Sequence, residues 1–154
     1  MSKRTVNLAD FAKELGVHND KQLEQLHQAS LLGIAKAIPL LVETSPVDTG
    51  LYAQSWDFRK EEFGAVLGNT APYASIIEYG ARPFTPPIEP LLAWAKRVLG
   101  DSSQPPDYSP QVKALAFAVQ QKIKREGMKP RHVMENAIPQ IIENIKAEYM
   151  RMNG

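Results

Sequence analysis

Apolar residues recur every three or four positions from Asp20 to Val42, a spacing that predicts a long helix with one buried face. Asn19 and Asp20 are the candidate N-caps. Pro39 removes one backbone hydrogen bond near the end of this pattern and can bend the last turn, so we expect the helix to weaken before Pro46. The apolar positions are Leu23, Leu26, Ile34, Ala37, Ile38 and Leu41.

The C-terminal half shows the same spacing in two further stretches. One runs from Val112 to Ile123 and is closed by Gly127; the other runs from Met134 to Tyr149, where Pro139 opens or kinks the helix. Leu91 to Leu99 predicts a shorter helix that carries Trp94. Residues 1–18 predict an N-terminal arm or a short helix.

Aromatic and β-branched residues dominate the segment that follows the first helix. Leu51 to Phe58 and Phe63 to Leu67 predict an antiparallel pair of strands. The charged stretch DFRKEEFG, residues 57–64, fits either a hairpin loop or the tip of two long strands. YASIIEYG, residues 73–80, satisfies both the strand and the helix period, so its type stays open.

Proline punctuates the middle of the chain. Residues 81–90, ARPFTPPIEP, hold four prolines in ten positions, so we expect an extended arm over a surface. Residues 101–110 predict an exposed loop. The pattern as a whole predicts one α+β domain over residues 1–154, with a long N-terminal helix and C-terminal helices packed on a small antiparallel sheet.

Composition removes several kinds of chemistry. The chain has no cysteine, which excludes disulfides, thiolate metal sites and cysteine nucleophiles, and its net charge of +1 gives no argument for nucleic-acid binding. The N-terminus lacks the apolar run of a signal peptide, and no segment approaches ~20 consecutive apolar residues. We therefore expect neither export by the usual route nor a membrane span.

Motifs of catalysis are missing from the sequence. The three histidines, His18, His27 and His132, have no second ligand at metal spacing. The glycine-rich phosphate loops and the G-x-S-x-G nucleophile motif do not occur. We assign no catalytic, cofactor-binding or metal-binding residue, and we expect a protein that is not an enzyme.

The stretch SPVDTG predicts a rigid turn from helix to strand. Pro46 presets its own φ, Asp48 can accept hydrogen bonds from backbone N–H groups two or three residues on, and Gly50 tolerates a positive φ; Thr49 completes the turn. A catalytic role for Asp48 is not favoured, because no base, metal partner or nucleophile accompanies it.

Three motifs taken together resemble a known family. SPVDTG, then Ser55-Trp56, then GNTAPYASIIEYG at 68–80, resemble the tail-completion, or head-to-tail joining, proteins of long-tailed bacteriophages, related to the minor tail protein Z of lambda-like phages. The likeness covers residues 20–80 and continues through the helix near Trp94 and the 115–130 stretch. The chain departs from the family where E-Y-G-A replaces E-Y-G-T, and where His132-Val133-Met134 replaces a proline-phenylalanine pair.

The resemblance implies a structural protein of the virion neck, assembled in the host cytoplasm. Its partners would be further copies of itself in a hexameric ring, the tail terminator or tail tube protein, the head-tail connector or stopper protein, and DNA passing through the channel without sequence readout. A tail terminator or a connector stopper is the nearest alternative. A sequence-independent DNA-binding module is a more remote one.

Two sets of residues are candidates for contact with partners. Aromatic side chains with polar tips suit either a core or a subunit interface. The basic stretch near 112–132 contains six basic residues and one acidic residue, Glu126. It suits a solvated helix face, an acidic neighbour or DNA. The candidate interface set is Tyr73, Glu78, Tyr79, Gly80, Arg82 and Phe84, and the candidate basic set is Lys113, Lys122, Lys124, Arg125, Lys129 and Arg131.

Overall fold

A computed structural model describes residues 8–62 and 64–154, and within them the chain has the predicted α+β architecture. Residues 1–7 of the predicted arm and the strand position Phe63 lie outside the described residues. The elements are α1 (Leu8–Glu14), α2 (Asp20–Thr44), α3 (Leu51–Gln54), β1 (Trp56–Glu61), β2 (Gly64–Asn69), α4 (Ala74–Tyr79), α5 (Ile88–Leu99), α6 (Pro110–Glu126) and α7 (Val133–Asn153).

The chain divides into two compact units. Unit 1 comprises Met1–Pro72 and Val133–Gly154, so its two segments come from opposite ends of the sequence. Unit 2 is the continuous segment Tyr73–His132. The sequence pattern did not indicate this division.

The core of unit 1 forms where α2 packs on α7. Leu26 and Ala29 are fully buried, and Phe11 from α1 and Tyr149 from α7 are buried in the same cluster. Gly33 permits a close approach of the two helices, because a Cβ at this position would lie 2.7 Å from the backbone nitrogen of Ile145. Partly buried apolar residues packed against this core are Ala12, Leu15, Val17, Ile142, Ile145 and Met152.

The bounds of α2 follow from its caps. The side chain of Asn19 accepts a hydrogen bond from the backbone N–H of Gln22 at 2.9 Å, which confirms the predicted N-cap. The helix continues through Pro39 and ends at Thr44, before Pro46. In α7, Pro139 lies inside the helix, which excludes the first of the two alternatives, that this proline opens the helix.

Part of the strand prediction is wrong, for a local reason. Gly50 has φ +84°, and its carbonyl accepts a 3.0 Å hydrogen bond from the N–H of Gln54, so Leu51–Gln54 form the helical turn α3 instead of a strand. β1 and β2 pair antiparallel, with Phe58 opposite Leu67 and Glu61 opposite Gly64. The charged residues are therefore the tip of two strands. α2 contacts the start of β2 through His27, whose Nε2 lies 3.0 Å from the carbonyl oxygen of Gly64.

The core of unit 2 forms between α5 and α6. Ala95, Val112 and Ala116 are fully buried, and Trp94 is packed against them at partial exposure. The ambiguous YASIIEYG segment contains the helix α4. Partly buried residues that complete this core are Ile88, Leu91, Leu92, Tyr108 and Leu115.

The proline-rich arm is shorter than predicted. Only residues 81–87 lie outside helices, because Ile88–Leu99 form α5 with Pro90 in its first turn. The first amides of a helix have no partner within it, so proline costs no hydrogen bond there. The predicted 101–110 loop likewise ends at 109, where Ser109 caps α6 by accepting from the N–H of Val112.

Candidate functional surfaces

Two buried side chains, Ser45 and Trp56, hold the SPVDTG turn in place. The hydroxyl of Ser45 donates to the carbonyl of Leu41 at 2.5 Å and accepts from the indole Nε1–H of Trp56 at 2.8 Å. The Tyr52 ring meets the Trp56 ring edge-on, with centroids 5.5 Å apart. The turn therefore connects α2 to β1 through a packed, hydrogen-bonded base.

The tip of the same turn is exposed and apolar. Val47 is 76% exposed and Leu51 is 47% exposed. Thr49 Oγ1 accepts a 3.4 Å hydrogen bond from the N–H of Leu51. The role of Asp48 as a backbone acceptor stays a prediction. Sequence reasoning treated this stretch as a shape element and missed its apolar surface.

The candidate interface residues separate by exposure. Tyr79 is 52% exposed, Phe84 is 38% exposed and Tyr73 is 36% exposed, and Arg82 is also exposed. Glu78 is 9% exposed, so this residue is buried and offers little surface to a partner. The exposed members of the set all belong to unit 2.

Gly80 has a structural role in unit 2. Ala81 and Met128 exchange backbone hydrogen bonds of 2.9 and 2.8 Å, which join the end of α4 to the segment after α6. Gly80 has φ +73°, and a Cβ there would meet the carbonyl of Met128 and lie 2.9 Å from the nitrogen of Pro130. Gly127, also at φ +73°, would place a Cβ against the carbonyl of Ala81. The E-Y-G and G-M-K-P motifs are thus two sides of one backbone bridge.

All six residues of the candidate basic set are exposed, but they do not share one helix face. Lys113 and Lys124 lie on the same side of α6, whereas Lys122 is turned from Lys113 by about 180°. Lys129 and Arg131 follow the helix, beyond Gly127. Phe117 lies between Lys113 and Lys124 and is 59% exposed. We did not single out this aromatic ring from the sequence, although it lies about 100° around the helix from the buried Ala116 and therefore outside the apolar stripe.

The two units carry opposite formal charges. Unit 2 has nine basic and five acidic side chains, which gives +4, and unit 1 has nine basic and twelve acidic side chains, which gives −3. The net charge of +1 therefore hides an asymmetry that becomes visible only when the division of the chain is known.

Two carboxylates have pKa values below their ordinary range. Glu148 is buried in unit 1, and hydrogen bonds from Lys36 and Arg151 lower its pKa. In the 101–109 loop, hydrogen bonds from the hydroxyl and the backbone N–H of Ser103 lower the pKa of Asp101. Ser103 Oγ in turn accepts from the N–H of Ser109 at 3.1 Å. Both carboxylates stabilise local structure.

Within residues 8–62 and 64–154, no three metal-ligating side chains form a group that could hold an ion. Over the same residues, no helix combines the length and apolarity needed to cross a membrane. A polar depression of about 330 Å³ lies at the N-terminus of α2 and the C-terminus of α7, and is lined by Asn19, Lys21, Gln22, Gln25, Met152, Asn153 and Gly154.

Comparison of the chain with protein-family models, with curated proteins and with solved structures gave no match.

Proposed function

We propose that this chain is a tail-completion protein of a long-tailed bacteriophage, which forms a ring between the tail and the head connector and leaves a channel for DNA. The observation that carries the proposal is the position of the resembling motifs. Gly50, Trp56 and Gly80 support the backbone at junctions, while Val47 and Tyr79 beside them are exposed. This arrangement suits a protein that holds contact surfaces in place.

The proposed role involves no chemical step. The chain positions contact surfaces, and the free energy of binding at these surfaces drives assembly. Exposed apolar side chains at fixed positions can supply the central contacts of an interface, around which polar residues exclude water. The opposite charges of the two units favour head-to-tail contact between copies, in which different surfaces meet. Heterologous contacts of this kind close into a ring when the rotation between copies permits it.

A joining assay tests this function. In a phage that carries this gene, its deletion should leave filled heads and complete tails apart, and adding the purified full chain should restore joined particles and infectivity. A tail terminator would instead leave tails of uncontrolled length, and a connector stopper would leave heads that lose their DNA. Normal joining in the deletion strain would contradict all three roles.

A second candidate is a sequence-independent DNA-binding module, favoured by the exposure of all six basic residues. Binding of this kind weakens steeply as salt rises, because binding releases counterions from the DNA phosphates and this release becomes less favourable at high salt. Fluorescence anisotropy with two labelled duplexes of unrelated sequence, measured at several salt concentrations, tests it. Equal, salt-sensitive affinity for both duplexes is expected of the DNA-binding module, and absence of binding at low salt would contradict it.

A further inference from the structure

One exposed surface of unit 2 combines an aromatic ring with positive charge. The Phe117 face consists of Lys113, Ala114, Phe117, Ala118 and Lys124, all exposed on α6. Positions 113, 117 and 124 follow the i, i+4, i+11 spacing of one helix side, so the two lysines flank the ring along the axis. The small alanines beside Phe117 leave the ring accessible from the side.

A surface of unit 1 has the complementary composition. We use the name Val47 surface for the exposed residues of one short segment, residues 42–51, which are the apolar Val42, Val47 and Leu51 and the acidic Glu43 and Asp48. The buried hydrogen bond between Trp56 and Ser45 fixes the middle of this segment to the start of β1. The Val47 surface therefore presents apolar side chains on a fixed backbone.

We propose that the Phe117 face of one copy binds the Val47 surface of a second copy. This inference rests on the proposed ring, and it names the two surfaces that meet. Phe117 would pack on Val47 and Leu51, while Lys113 and Lys124 would face Glu43 and Asp48. Each copy carries one surface on each unit, so every copy can bind two neighbours.

The charges of the two surfaces favour pairing of a Phe117 face with a Val47 surface over symmetric pairing and over DNA. Two Phe117 faces would bring lysines against lysines, and two Val47 surfaces would bring carboxylates together, so symmetric pairing is opposed. DNA would satisfy the lysines but would leave the centre of the Phe117 face against phosphates, which offer an aromatic ring no apolar contact. The mixed composition of both surfaces fits a protein partner, and the −3 charge of unit 1 fits the +4 charge of unit 2.

The absence of cysteine from the chain permits a direct test. Two single-cysteine variants of the full chain, Val47→Cys with an affinity tag and Phe117→Cys without one, are mixed and oxidised mildly. Both positions are more than half exposed, so we expect the variants to fold. The control pairs Val47→Cys with Val98→Cys, because Val98 is 59% exposed on α5 of the same unit.

We expect the tagged and untagged chains to form a disulfide-linked dimer in the Val47 and Phe117 mixture, at a yield at least several-fold above the control. Reversal of charge with Lys113→Glu and Lys124→Glu in the Phe117→Cys chain should reduce that yield to the control level. Equal yields in the test and control mixtures would overturn the proposal. A DNA mobility shift that is lost in the Lys113→Glu, Lys124→Glu chain, with no cross-link in the parent mixture, would assign the face to DNA and also overturn it.

The joining assay separates this inference from the proposed function. Restored joining without the cross-link means that the chain is a neck protein whose copies meet through other surfaces. A specific cross-link without restored joining means that the two surfaces bind each other in a protein with another role.

Discussion

The indole Nε1–H of Trp56 donates a 2.8 Å hydrogen bond to the hydroxyl of Ser45, and both side chains are buried. Ser45 caps the C-terminus of α2 and Trp56 begins β1, so this bond closes the SPVDTG turn at its base. The Val47 surface and the start of the hairpin are both positioned by it.

Ser45→Ala should destabilise the fold by about 1–3 kcal/mol, because it leaves the buried indole N–H without its acceptor. Urea unfolding followed by tryptophan fluorescence measures the loss. Thr44→Ala is the matched control, since Thr44 also donates to the carbonyl four residues earlier but lies exposed. Equal unfolding midpoints for the two variants would show that the buried hydrogen bonds of Ser45 contribute no more to stability than the exposed one of Thr44.

Gly80→Ala and Gly127→Ala should each lower the free energy of unfolding by about 1–3 kcal/mol or more, because each adds a Cβ at positive φ and against a carbonyl of the facing segment. Gly68→Ala is the control, because a Cβ there meets no atom within 4 Å. Thermal melts of the three variants check the prediction. Melting temperatures that fall together would mean that the backbone bridge does not limit stability.

Glu148 should make unit 1 less stable in acid. Lys36 and Arg151 hold the pKa of its carboxyl below the ordinary 4.5, so the folded state favours the charged form. The resulting stability is present above the ordinary pKa and is lost as pH falls through the lowered value. Glu148→Gln should therefore show a smaller decline of unfolding midpoint between neutral pH and about pH 3 than the parent chain.

Glu143→Gln, on the exposed side of the same helix, is the control for this measurement. Its pH dependence should follow that of the parent chain. The account of Glu148 is wrong if its variant and the control decline alike.

Tyr79→Ala and Phe84→Ala should leave the monomer folded, because both side chains are exposed, and should weaken docking to the neck partners. Circular dichroism checks the fold and the joining assay checks docking. Val98→Ala, another exposed apolar residue of unit 2, is the control. Full joining activity in both aromatic variants would remove them from the interface.

Periodicity predicted the long helices and the antiparallel pair because each depends on local spacing and caps, as at Asn19 and Gly127. It misplaced Leu51 and Tyr52, since a strand-like composition gave way to the helical turn that Gly50 starts. The division into two units depends on pairing α2 with α7, which are far apart in sequence. Phe117 lies about 140° around α6 from the buried Val112, so helical spacing was enough to place it outside the buried stripe; its exposure was missed because only the stripe itself was considered.

Negative-stain electron microscopy of the purified full chain tests the central claim most directly. We expect rings of uniform diameter with a central hole at low ionic strength. Fewer rings should form as salt rises, because salt screens the attraction between oppositely charged units of neighbouring copies. Compact single particles at every concentration and salt condition would contradict it.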